Sequence, residues 1–163
     1  EKEIQEELTR VRRYKRAASL VLMDVDDFST VNSEAGVEMG DLLLTCLSGV
    51  VLTSIRMMDK AGRYRGESFL LFLPETDDKG AEILATRIQE KLTTIADTLA
   101  GFKLAFSCGI VNTPRDGEDW TQLQARLEQA LMIAKKSKKG SVVLWGRDVT
   151  EHYVPPSPEK ETS

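Results

Sequence analysis

Apolar positions along the chain fall into two rhythms. Residues 18–25, ASLVLMDV, form an apolar run ending in Asp24, Asp26 and Asp27, the pattern of a buried strand with acids at its carboxyl end. Residues 39–57 place Leu43, Leu44, Leu47, Val50, Val51 and Ile55 at spacings of three and four, which predicts an amphipathic helix. A polar strand over 60–64, a turn at Arg65, Gly66 and Glu67, and an apolar strand over 69–73 read as a β-hairpin. A second helix follows over 77–95 through Ala81, Leu84, Ile88 and Leu92, capped by Asp77 or Asp78. Residues 102–112, FKLAFSCGIVN, predict a strand, and 119–139 predict a third helix through Leu123, Leu127, Leu131 and Ala134. That helix ends in lysines before Gly140, and 141–145 predict a last strand. The order β-α-β-β-α-β with a central hairpin predicts a ferredoxin-like α+β fold.

The ends of the chain read differently. Residues 1–16 put Ile4, Leu8, Val11 and Tyr14 on one stripe of a charged helix. Such a stripe suits either a short coiled-coil seam or a helix packed on the domain. The closing VPPSPEKETS is Pro-rich and charged, which predicts disorder. The expected plan is a helical linker over 1–16, one domain over 17–147 and a disordered tail over 148–163. A start inside a helix and without Met predicts a piece of a longer protein.

Composition narrows the function classes. At 163 residues, with 41% hydrophobic and 29% charged residues, the chain is sized for one soluble domain with its own core. A net charge of −4 weighs against general nucleic-acid binding. No continuous apolar run approaches the ~18 residues of a membrane span, and EKEIQEELTR is too charged for a signal peptide. These features predict a cytoplasmic location. Cys46 and Cys108 lie in apolar stretches without a CxxC, as buried reduced thiols do. His152, the only histidine, lies in the polar tail, which leaves no basis for a zinc site or a His-based triad.

The predicted topology sets the hairpin beside the first strand, so Asp24 and Glu67 converge at one sheet edge next to Gly66. Two carboxylates suit a divalent magnesium ion, and a bare glycine lets backbone N–H groups approach phosphate. Ordinary acids at strand ends are the alternative.

Four segments carry a specific resemblance: MDVDDFSTVNSEAGVEMGDLLL, RMMDKAGRYRGESFLLFLPET, FSCGIV and ALMIAKKSKKGSVVLW. In this order and spacing, over about residues 20–145, they resemble the GGDEF domain of diguanylate cyclases. The resemblance implies a nucleotidyl-cyclase-like version of the ferredoxin-like fold, with a mostly antiparallel sheet flanked by helices. It also implies magnesium-dependent joining of two GTP molecules into cyclic di-GMP, with one nucleotide on each domain of a homodimer. Carried onto this chain, it makes Asp24, the Val25 carbonyl and Glu67 the metal set, with Glu67 assisting removal of the attacking hydroxyl proton. Asn32 and Asp41 match the pair that reads guanine, and Gly66, Arg63, Lys135 and Lys139 match the rest of the GTP site.

The departures concentrate at that site. The signature reads RGESF, so Arg65 replaces the first glycine and Ser68 replaces the fourth-position glutamate. Ser29 stands where a lysine usually follows the strand, KKGS replaces GRNR, and the usual DxLTGLxNR opening is missing. The RxxD of the family's inhibitory cyclic di-GMP site is intact as Arg56-Met57-Met58-Asp59, with Arg87 matching its second arginine. Arginine forks grip guanine edges and phosphates, and a carboxylate accepts from guanine N–H groups. The residues therefore admit three readings: a degenerate GGDEF domain that binds cyclic di-GMP, an active cyclase, or a non-binding dimerisation or scaffold module.

Overall fold

β1 (Ala18–Val25) is buried along its whole length, because both of its faces are covered. The computed structural model describes residues 2–101 and 103–149, and β1 is the middle strand of its five-stranded sheet. The other strands are β2 (Lys60–Arg63), β3 (Ser68–Pro74), β4 (Phe106–Thr113) and β5 (Val142–Leu144), in the spatial order β2-β3-β1-β4-β5. All neighbours pair antiparallel except β4 and β5. The first four strands have the ferredoxin-like order, and β5 extends the edge.

Side-chain alternation along β1 divides the interior into two layers. Val21, Met23 and Val25 face a cluster with Leu43 and Leu47 of α3 (Val37–Ser54) and Ile88 and Leu92 of α4 (Asp78–Ala100). Ala18, Leu20 and Leu22 face Leu8 and Val11 of α1 (Lys2–Arg13) and Leu123 and Leu127 of α5 (Trp120–Ser137). The sheet is thus sandwiched between two pairs of helices. Gly109 sets how closely α5 approaches: a Cβ there would lie 2.6 Å from the Leu131 nitrogen and 2.7 Å from the Leu127 oxygen.

The local rules worked where a side chain could act on its own backbone. Asp77 accepts from the Gly80 N–H at 2.8 Å and Asp119 from the Gln122 N–H at 2.9 Å, starting α4 and α5. Gly101, with φ 66°, ends α4 in the left-handed conformation favoured by glycine. Cys108 is buried and its thiol is pushed up by desolvation, so it stays protonated. Cys46 is partly buried.

Three boundaries differ from the sequence pattern. α2 (Phe28–Ala35) is an additional helix, short and polar, held by the buried Phe28 and Val31. β4 begins at Phe106, later than the apolar pattern. Trp145 opens a short helix, α6 (Trp145–Asp148), in place of the strand end, because Asp148 accepts from the Leu144 N–H at 2.8 Å. Residues 150–163, including His152 and most of the expected disordered tail, lie outside the described residues. α3 has the length and mean hydropathy (1.4) of a membrane span; Leu43, Leu44 and Leu47 serve the core beneath the sheet, while Leu42 and Leu52 are exposed.

Candidate functional site

The register of β1 against β3 pairs Asp24 directly with Ser68. Glu67 is the preceding residue, so the signature turn stands at the same end of the sheet as Asp24, but the side chain that meets Asp24 is that of Ser68. Both Asp24 carboxylate oxygens have partners: the Lys135 ammonium of α5 pairs with Oδ1, and the Ser68 hydroxyl donates to Oδ2. Asp24 is only 7% exposed, so this neutralisation matters energetically. Lys135 reaches it because α5 crosses the same face as Asp24 and Ser68, the face of Leu20 and Leu22.

Around this pair opens a cleft of about 450 Å³ lined by Arg65, Lys136, Tyr64, Glu128 and Met132, among others. Arg65 stacks its guanidinium 4.9 Å from the centre of the Tyr64 ring and pairs with Glu128 of α5 at 3.4 Å. The residue that replaces a signature glycine therefore forms one wall of the cleft. The Tyr64 hydroxyl donates to Glu128 at 2.6 Å and accepts from Gln124. Partial burial, then the Glu128 carboxylate, holds this phenol above its ordinary pKa. Tyr64, Glu128 and Gln124 had no motif to announce them, since the hairpin meets α5 across some sixty residues of sequence.

The turn itself keeps its glycine geometry. Gly66 has φ 51°, and Arg63 clips the turn by donating to the Gly66 carbonyl while its guanidinium lies 5.9 Å from the Phe69 ring centre. Glu67 is partly buried beside it. The Val25 side chain is fully buried on the opposite face from Asp24. Lys139 pairs with Asp27, which raises the lysine's pKa. Asp26, an acid with no assigned role in the sequence, is a clasp: it accepts from the Ser107 hydroxyl at 2.7 Å and the Gly140 N–H at 3.1 Å.

Asn32 of α2 lies over Gly40 of α3, where any Cβ would strike its Oδ1. That seat brings the amide next to the start of α3, where the exposed Asp41 follows Gly40. A third cluster forms at the carboxyl end of α3. Asp59, 8% exposed, accepts from the Arg56 N–H through Oδ2 at 2.8 Å. Arg87 of α4 donates to the Ser54 carbonyl at 3.0 Å, and Lys91 donates to the Ser54 hydroxyl at 3.3 Å. Both arginines are exposed. The expected RxxD residues and Arg87 are thus gathered at one helix end.

The profile described as "Diguanylate cyclase, GGDEF domain" matches residues 1–141. The chain belongs to the GGDEF family. Diguanylate cyclase A of Treponema denticola is 27% identical over 132 residues, which is 80% of this chain and 36% of that protein. The chain therefore spans about a third of that relative's length. The GGDEF domain of DgcB from Caulobacter crescentus, solved in complex with c-di-GMP, superposes with a TM-score of 0.82 at 18% identity, covering 89% of this chain and 87% of that one. The diguanylate cyclase SiaD from Pseudomonas aeruginosa, solved with its activator SiaC, gives a TM-score of 0.80 at 30% identity, over 88% of this chain and 55% of that one.

Membership of the GGDEF family raises the question of a divalent ion. Magnesium needs near-octahedral oxygen ligation, usually with one or two free carboxylates. In this GGDEF domain Asp24 already carries an ammonium and a hydroxyl donor, and Ser68 removes the carboxylate that would face it. No group of three or more Asp, Glu, His or Cys side chains converges among the described residues. As arranged, both Asp24 oxygens are taken by Lys135 and Ser68, so a divalent ion at Asp24 would have to displace one of them.

Proposed function

We propose that this GGDEF domain is a cytoplasmic receiver of cyclic di-GMP, which binds at Arg56, Asp59 and Arg87 and turns GTP over weakly or not at all. The observation that carries the reading is the gathering of those three residues at the carboxyl end of α3, with both guanidinium groups exposed. Asp59 is held rigidly by its own turn, so it offers a carboxylate to guanine N1–H and N2–H₂ with little ordering cost. The arginines supply forked donors for a second guanine edge and for the two phosphates of the ligand. Weak turnover follows from the signature turn: Arg65 occupies the cleft wall and Asp24 is neutralised from within.

Calorimetric titration of the chain with cyclic di-GMP tests the reading. Micromolar binding is expected, and Arg56→Ala should weaken it about tenfold or more, the effect of losing one charged, bidentate contact. Heat unchanged by that substitution, or no heat at all, overturns it.

A second reading, cyclase turnover in a homodimer of the full-length protein, is favoured by one observation. Asp24 and Glu67 are both kept at the same end of the β1–β3 pair. Incubating the dimerised chain with GTP and magnesium, followed by chromatography of the nucleotides, decides between the readings. The receiver reading expects little or no cyclic di-GMP, and more after Arg65→Gly combined with Ser68→Glu.

A further inference from the structure

Because Asp24 and Ser68 are direct cross-strand partners, the side chain at position 68 decides what stands against the Asp24 carboxylate. A glutamate there would set two carboxylates against each other, an arrangement that needs a bound cation to be stable. Ser68 reverses that demand. It supplies a hydroxyl donor to one Asp24 oxygen while the Lys135 ammonium satisfies the other. The adjoining cleft then carries three cations, Arg65, Lys135 and Lys136, against two carboxylates, Asp24 and Glu128.

We propose that this chain has replaced the divalent ion of its nucleotide site with its own cations, so that the cleft takes a phosphorylated guanine nucleotide without a metal. Lys135 has three N–H donors and can hold Asp24 and a phosphate oxygen together. Arg65 adds a planar fork at the rim, on the Tyr64 ring. Leu22, Leu131 and Met132 give the cleft an apolar wall beside the pairing of Lys135 with Asp24. The guanine part of the proposal rests on the reading of Asn32 and Asp41 given above, a pair on α2 and α3 outside the lining of the cleft, so the cleft itself would hold the phosphates. Lys135 is shared with the family's site, so the metal independence rests on the departures beside it: Ser68, which donates to Asp24, and Arg65, which adds a cation to the cleft.

Two measurements on the whole chain test it. Manganese, a paramagnetic stand-in for magnesium, is titrated and followed by electron paramagnetic resonance. Wild type should bind none at Asp24, whereas Ser68→Glu should gain a site that is lost again on Asp24→Asn. A non-hydrolysable GTP analogue is then titrated calorimetrically in magnesium and in EDTA. Wild-type affinity should agree within about threefold between the two, and Lys135→Ala should lower it about tenfold in EDTA. Manganese bound by wild type and released by Asp24→Asn overturns the proposal. So does a tenfold loss of wild-type affinity in EDTA, or absence of analogue binding in both buffers. The cyclic di-GMP titration uses another ligand and another residue, so the receiver reading stands or falls separately.

Discussion

Tyr64 is one of the residues through which the hairpin touches α5, and its chemistry can be read directly. Burial and the Glu128 carboxylate hold its phenol above the ordinary value of about 10. A group whose pKa is raised by folding contributes stability that is complete below its unfolded value and is lost as pH rises through the folded one. Stability should therefore fall more steeply as pH rises above about 10 in wild type than in Tyr64→Phe. Denaturant midpoints above about pH 10 check this, and ultraviolet titration should lose a late-ionising phenol on Tyr64→Phe. Gly109 makes a different kind of prediction. A methyl group there meets the backbone of α5, which cannot move aside as a flexible side chain would. Gly109→Ala should cost about 2–3 kcal/mol, seen as a lower urea midpoint at unchanged slope.

At the scale of elements, the two long-range helices rest on local caps. Asp77→Ala and Asp119→Ala should each lower stability by about 1 kcal/mol, again measurable by urea unfolding. These caps were legible in the sequence because an aspartate acts on an N–H only three residues away. β1, the hairpin, α4 and α5 were legible for a related reason: their apolar periods persist over many residues. α2 was not. Its sequence, FSTVNSEA, offers Phe28 and Val31 to the core and little else, so tertiary packing makes the helix where propensity does not. The candidate site divides the same way. Its residue types were visible from motif spacing. The pairing of Lys135 with Asp24 was not, because it depends on α5 crossing the sheet at Gly109, 111 residues along the chain from Asp24 to Lys135. The stacking of Arg65 on Tyr64 towards Glu128 was hidden for the same reason.

At the scale of the molecule, α1 decides whether the domain presents a sticky face. Its stripe admitted two uses, a seam for another helix or a cover for the sheet. Leu8 and Val11 are buried with Leu20, Leu70, Phe72 and Trp120, and Ile4 packs against the same cluster. Glu3 and Glu7 both pair with Lys60 of the edge strand β2, at 2.6 and 3.2 Å, which fixes the helix across the hairpin that carries the signature turn. A stripe committed to the core cannot also serve as a coiled-coil seam unless α1 undocks. Leu8→Ala should then cost about 2–4 kcal/mol through the cavity it leaves. Sedimentation of the same variant separates the two uses. If the stripe covers the sheet, the variant melts earlier with its association state unchanged; if the stripe were a seam, the same truncation would weaken self-association and leave the melting of the monomer where it was. The first outcome is expected, because the apolar residues beneath α1 have no other cover among the described elements on that side but α5.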